Sequence, residues 1–571
     1  MTLTLLAVGF LLLLAAAYRL YGGWVARQFR LDDSRRTPAE EINDGVDFAP
    51  TRPFYLFGQH FSAIAAAGPI AGPIIACQAF GWLPCLLWIG LGVVLIGAVH
   101  DFTSLAASVR HGATSVAEIT REYLGARAGR AMMAFIWIAL VYVIVAFADI
   151  TAGTFVGGSE ELKAAPVGFN PGGAVAAASV MYLLLSLVLG LVQKYLDPPL
   201  WLVTAIFVPA AFALSWAGTY VSTLFVLDHM TWGLLILAYC AAASVTPMWA
   251  LLQPRGYLGG FILYTALALG IVGVFFGGYE VQQPAFKGFF NEQAGAAGAL
   301  FPFLFVTIAC GACSGFHGLV CSGTTSKQVA RESHIRPVGY GAMLAEGFVA
   351  LVALVTIMIV APAAAAGKAP GTIYGEGIGR FLTLIVGEGN MAFAVTFGAM
   401  AFSTFVFDTL DVSTRLGRYI VQELLGWRGR AGALAGTLLT IAAPVFFIAL
   451  APPNSYRSFW TLFGASNQLL AALTLLTITV WLYQARQRIA YTLVPMLFVL
   501  FITLWALGGL VAGNLRAARG LDVSLVNALA SAALVALAVY LSILALVRVR
   551  RDRRGGRGGS LVPAHQSAGL E

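Results

Sequence analysis

Apolar runs of membrane-crossing length, separated by short polar and mostly basic connections, fill the chain from residue 3 to residue 548. A hydrocarbon core about 30 Å thick takes about 20 apolar residues per helix. On that scale the pattern predicts about fifteen spans, near 3–21, 54–81, 84–107, 131–155, 173–193, 199–219, 231–252, 256–277, 299–322, 337–362, 386–410, 430–451, 462–484, 488–513 and 522–548. The expected fold class is an all-α polytopic membrane protein. It divides into an N-terminal helix and loop (1–53), two groups of helices (54–219 and 231–418), further helices (430–548) and a polar tail (549–571) expected to be disordered.

The connections set an orientation. With the N-terminus outside and the C-terminus inside, 27 of the 34 Lys and Arg fall on the cytoplasmic side, the bias of the positive-inside rule. The expected location is a bacterial-type cytoplasmic membrane. Composition agrees: only 11 % of residues are charged, against about 25 % in soluble domains. The net charge of +8 lies in these connections, so it points to no nucleic-acid partner. All six cysteines sit in or beside apolar runs, which argues against a secreted disulfide framework. The first apolar run lacks a basic leader and a cleavage site and reads as a retained helix.

The second span carries His60-Phe-Ser-Ala-Ile-Ala-Ala-Ala-Gly-Pro-Ile-Ala-Gly-Pro73. Each proline lacks an N–H and clashes with the carbonyl four residues back. In lipid, backbone freed in this way must be buried in protein or face a watery cavity. Gly68, Pro69, Gly72 and Pro73 therefore mark either a kinked packing helix or a discontinuous helix at a binding site. A second candidate break, Ser244-Val-Thr-Pro247, lies five spans later and runs in the opposite direction. Two such helices fit an inverted repeat of five plus five helices, spans 2–6 and 7–11, with extra helices outside it.

Ionisable residues at membrane depth are costly and call for a reason. Asp149 and Glu346 have no evident local partner, which leaves proton or cation coupling and structural hydrogen bonding both open. Asp411 has Arg415 one turn on as a local partner. His60, Asp101 and His317 map to the cytoplasmic third on different helices, as separate hydrogen-bonded groups, a proton relay or a metal site. Cys310, Cys313, His317 and Cys321 share a helical face, where packing explains them more cheaply than zinc does. No phosphate loop, nucleophile elbow, dinucleotide fingerprint or zincin motif is present, so neither an enzyme nor an ATP motor is indicated. No cofactor is implied beyond a bound cation.

Several blocks together resemble the carbon starvation protein A family. They are Phe57-Gly-Gln-His-Phe through Pro73, Gly97-Ala-Val-His-Asp-Phe102, Thr307-Ile-Ala-Cys-Gly-Ala-Cys-Ser-Gly-Phe-His317, Ser322-Gly-Thr-Thr, Gly339-Tyr-Gly-Ala-Met-Leu, Asp411-Val-Ser-Thr-Arg-Leu-Gly-Arg418 and Leu462-Phe-Gly-Ala-Ser-Asn-Gln468. The resemblance implies inner-membrane uptake of peptides during carbon starvation, or proton symport of pyruvate, on a LeuT-like inverted repeat. The chain departs from longer relatives by a short 362–385 loop and by Cys313 and Cys321. The expected centre is Gly68, Pro69, Gly72, Pro73, Ser244, Thr246 and Pro247, supported by Ser314, His317, Thr324 and Thr325. Coupling is expected at His60, Asp101, Asp149, His317, Glu346 and Asp411. The expected partners are a peptide or small carboxylate, a proton or cation, and the bilayer. The rival reading is a nutrient sensor on the same scaffold without net transport.

Overall fold

The computed structural model describes residues 2–44, 48–159, 162, 168–291, 298–451 and 455–555. Among them there are helices and two isolated β-bridges but no strand. α1 (Leu3–Phe29) is the first span, and the short α2 (Pro38–Ile42) follows it. The next crossing comes in two pieces, α3 (Pro53–Ile64) and α4 (Gly68–Phe80), which meet at 43°. Pro69 sits in the first turn of α4, where a missing N–H costs nothing. Its ring ends the preceding helix at Ile64, and Ala65 leaves the helical region at φ −74°, ψ 46°. Pro73 stays inside α4, so only the first of the two Gly-Pro pairs breaks the helix.

The chain continues through α5 (Trp82–Arg110), the short α6 (Val116–Leu124), α7 (Ala126–Val156), α8 (Pro171–Leu196) and α9 (Leu200–Tyr220). α10 (His229–Val245) has 17 residues and α11 (Leu252–Phe276) is longer. The stretch expected as one span near 299–322 is instead α12 (Leu300–Thr307) and α13 (Gly315–Val320), with non-helical chain between them. α14 (Glu332–Met358) is a full span, followed by the short α15 (Pro362–Ala365) and by α16 (Pro370–Val386). The last helices are α17 (Met391–Leu425), α18 (Gly429–Leu450), α19 (Tyr456–Gln484), α20 (Ala490–Ala517) and α21 (Val523–Gly555).

Among the described residues, twelve helices are long and apolar enough to cross a membrane, or thirteen with the bent pair α3–α4 counted as one span. The expected fifteen included α10, which is short, and the interrupted segment of α12 and α13. The expected break at Ser244–Pro247 is a helix end, because α10 stops at Val245 and α11 begins at Leu252. The expected disordered tail starts as helix, with the Arg548–Arg553 run on the last turns of α21. Residues 556–571 lie outside the described residues.

The 362–385 loop holds the largest surprise, since most of it is α16 packed along α17. Glycines every fourth residue let the two backbones touch. A Cβ on Gly375 would lie 2.7 Å from Ala399 Cβ and 2.9 Å from its backbone nitrogen. Gly375→Val should overpack this seam at a cost of about 1–3 kcal/mol and lower the thermal midpoint of the purified protein. Gly389→Ala, with no atom within 4 Å of the new Cβ, should leave the midpoint unchanged.

Candidate functional site

The two interrupted helices cross. A Cβ on Gly68 would meet Cys310 Sγ at 2.5 Å, and one on Gly72 would lie 2.7 Å from the Thr307 carbonyl oxygen. One on Gly311 would come within 3.5 Å of Pro69 Cα. Glycine is what lets the chain pass this closely at these positions, so the first turns of α4 run directly against residues 307–311.

The backbone groups freed at the helix ends on either side of the 308–314 stretch find partners on neighbouring helices. Trp460 Nε1 of α19 donates to the Thr307 carbonyl at 2.9 Å. Trp88 Nε1 donates to the Phe305 carbonyl at 3.3 Å, which also accepts from Gln468 Nε2 at 3.4 Å. Asn467 accepts the Phe316 N–H at 2.8 Å and donates to Ser314 Oγ at 3.1 Å and Cys310 Sγ at 3.2 Å. A Cβ on Gly464 would lie 1.9 Å from the Val306 oxygen, which shows how closely α19 approaches. Residues 460–468 of α19, with Trp88, thus stand in for the missing helical hydrogen bonds.

Beside the crossing lies a chain of buried ionisable side chains. His100 Nδ1 donates to Asp101 Oδ1 at 2.8 Å, and His317 Nδ1 donates to Asp101 Oδ2 at 2.8 Å. His317 Nε2 faces Glu346 Oε2 at an ion-pair distance of 3.2 Å, and both Glu346 oxygens are buried with no hydrogen-bond partner among the described residues. His60 Nδ1 bonds Thr325 Oγ1 at 2.9 Å, and His60 reaches the chain through its Nε2, 3.9 Å from Cys321 Sγ. Cys321 Sγ in turn donates to the Asp101 carbonyl at 3.6 Å. Thr325 closes a π-helical turn, Cys321–Thr325, a distortion often found at functional sites. Thr324 instead bonds back to its own helix at Val320.

The structure therefore gathers Gly68, Pro69, Gly72, Ser314, Thr325, His60, Asp101, His317 and Glu346 around one crossing. Among the described residues, no group of three or more His, Cys, Asp or Glu is arranged to hold a metal ion, so His60, Asp101 and His317 converge without forming such a site.

Other expected residues sit elsewhere. Ser244 bonds Thr437 at 3.1 Å, Thr246 bonds back to Ala242, and Pro247 is exposed in the connection to α11. Asp149 pairs with His229 at 3.4 Å. Asp411 is held by Arg255 at 2.5 Å and by the Tyr239 hydroxyl at 2.9 Å, rather than by Arg415. Arg415 donates to the carbonyls of Ala243 and Thr246, capping α10.

His100, Asn467 and Arg255 were not singled out from the sequence. Arg255 reads there as a loop cation, yet it is 0 % exposed and also pairs with Asp408 at 2.7 Å. Its only signal is a charge at the start of a long apolar run.

Two measurements check this geometry. Asn467→Leu should leave the Phe316 N–H unpaired and cost about 1–3 kcal/mol, read as a lower thermal midpoint. Arg255→Ala should leave Asp411 buried and unpaired, costing about 3–5 kcal/mol, whereas Arg415→Ala should cost clearly less in the same assay.

The model of the carbon starvation protein CstA family matches residues 1–375 and 361–506. The peptide transporter CstA of Campylobacter jejuni is 33 % identical over 565 residues, covering 86 % of this chain and 77 % of that one. The pyruvate/proton symporter BtsT of Escherichia coli is 32 % identical over 593 residues, covering 86 % and 79 %. The peptide transporter CstA of Bacillus subtilis is 32 % identical, covering 86 % and 87 %. Among solved structures, a manganese transporter of Eremococcus coleocola aligns over 90 % of this chain and 99 % of that one, with a TM-score of 0.46 and 13 % identity.

Proposed function

The chain belongs to the carbon starvation protein CstA family, and from that premise we propose that it is a secondary transporter. It imports peptides or a small carboxylate such as pyruvate, with proton coupling, across a bacterial cytoplasmic membrane. The observation that carries this reading is the crossing of two interrupted helices beside the His317–Glu346 pair. Broken helices at a crossing leave backbone donors and acceptors and half-helix ends to hold a substrate. The N-terminal end of α4 favours an anionic group.

The same reading takes the two interrupted helices as the openings of two inverted, LeuT-like units. The first comprises α3–α4, α5, α7, α8 and α9; the second comprises α12–α13, α14, α17, α18 and α19. α10 and α11 then lie between the units, and the second unit starts at residue 300 rather than 231. With α3–α4, α10 and α12–α13 each taken as a crossing, the bundle has fifteen. Its end bearing Arg110 and Arg415 faces the cytoplasm, consistent with the bias of basic residues.

Coupling follows from charge. His317 stands between two buried carboxylates, and one imidazolium balances only one of them. Bringing a net charge to membrane depth is costly, so the remaining carboxylate, Glu346, takes a proton when the site loads and gives it up on release. Asp101 orients His317 from the other side. Nothing in the geometry favours a receptor without net transport.

Proteoliposomes with an inward proton gradient should accumulate radiolabelled pyruvate or a dipeptide, and competition between the two identifies the cargo. Glu346→Gln should reduce gradient-driven accumulation by about tenfold or more while preserving substrate counterflow, which needs no net proton movement. If the wild-type protein accumulates neither probe under the gradient, the coupling reading fails.

A further inference from the structure

At one end of the bundle, three helix ends are fastened by charge. Arg110, the last residue of α5, grips Glu332, the first residue of α14. Its Nε donates to Oε1 and its Nη2 to Oε2, both at 3.0 Å. The same Nη2 donates to the Phe29 carbonyl at 2.7 Å, at the end of α1. Glu332 Oε2 also accepts the Asp32 N–H at 2.9 Å and lies 3.6 Å from Arg35 Nη1. Both members of the central pair are buried.

Around this core, residues 29–37 and 48–52 are stitched to 327–334. Asp33 accepts the N–H and the hydroxyl of Ser333, each at 2.8 Å. Thr37 Oγ1 donates to the Ala330 carbonyl at 3.4 Å. Thr51 forms a parallel bridge with Val329, with Ala49 N donating to Lys327 O at 3.3 Å and Thr51 N to Gln328 O at 3.0 Å. Lys327 Nζ lies over the Phe48 ring at 5.4 Å.

These attachments fall where they restrain the site. Residue 52 leads directly into α3, which carries His60, and the 327–334 segment follows the turn that carries Thr325. α3 is joined to α4 only through the bend at 65–67. It cannot swing about that bend and part from α13 without tearing the 48–52 segment from 327–329. The Arg110–Glu332 core pins the same segment to α5 and to the end of α1.

We propose that the Arg110–Glu332 pair is a latch that holds the path between the two broken helices closed at this end and releases when it opens. This rests on the alternating-access reading above. A buried bidentate pair suits the task, because its partners are strongly favoured together and either one is costly to leave alone. Once the segments separate, both groups reach water at a helix end.

Cys321 is a built-in reporter, since it is fully buried beside His60. In Glu332→Gln, its modification by a small methanethiosulfonate, identified by mass spectrometry of the Cys321 peptide, should be on the order of tenfold faster than in the wild type. An unchanged rate overturns the latch. A second variant works from the closed state. Asp33 and Ser333 are exposed, and Asp33→Cys with Ser333→Cys, once oxidised, should lower uptake at least tenfold, with recovery on reduction. Full uptake in the oxidised form overturns the proposal. If the wild type moves no substrate while Cys321 still reports opening in Glu332→Gln, the transport reading fails and the latch stands.

Discussion

In a bilayer, every backbone N–H and C=O must find a partner inside the protein, and a broken helix breaks that bargain locally. Here the solution is supplied from outside the broken helix. Trp460, Asn467 and Gln468 of α19, with Trp88 of α5, take the groups that α12 and α13 release. That service requires α19 to lie against the break, and Gly464 and Gly315 permit the approach. The other broken helix, α3–α4, packs against the same stretch, where Gly68 and Gly72 meet Cys310 and Thr307. Much of the central packing is thus a consequence of satisfying a few carbonyls and one N–H.

Buried charge is handled by the same logic in three separate places. Arg255 is shared by Asp408 and Asp411, Arg110 is matched to Glu332, and His317 lies between Asp101 and Glu346. The first two sets join a guanidinium, always charged, to carboxylates. They tie α11 to α17 and α5 to α14. The third uses an imidazole, whose charge can change. Of the three, this set touches the helix crossing, and neither oxygen of its Glu346 has a hydrogen bond among the described residues. The two guanidinium sets brace the bundle, and the His317 set stands beside the breaks.

The parts of this arrangement that were legible in the sequence are those written in local chemistry. Pro69 after Gly68 announces the first break, and His60, Asp101, His317 and Glu346 stand out as polar residues in apolar runs. The second break is not announced, because 308–314 contains no proline and its opening depends on hydrogen-bond partners about 150 residues away. The Thr246-Pro247 pair misled for the converse reason. The same proline that breaks a helix in one setting ends one in another, and only packing distinguishes them. α16 escaped notice because its glycines and charged residues lower its hydropathy, although they fit it against α17 and the ends of neighbouring helices. Partners were hardest to read: Asp411 has Arg415 one turn away, yet Arg255 on another helix holds it.

The broken helix α3–α4 is fastened at both ends. At the far end of α4, Lys287 N donates to the Phe80 carbonyl at 3.1 Å and Lys287 Nζ to the Gln78 carbonyl at 3.1 Å. Leu83 N also donates to the Ala285 carbonyl at 2.9 Å. At the near end of α3, the 48–52 segment is bound to 327–329. Each half is a short continuous helix, interrupted in its ladder only by the N–H that Pro73 lacks, so a motion of either half is most easily absorbed between them. The backbone at 65–67 has already given up regular helical bonds, and a change of dihedral angle there breaks less than anywhere else along the span. The joint adjoins the helix crossing at Gly68 and Gly72, so loosening either end bears on the same short stretch of chain. A protein built in this way has no need to carry a signal along the bundle: the hinge and the candidate site are one stretch of chain.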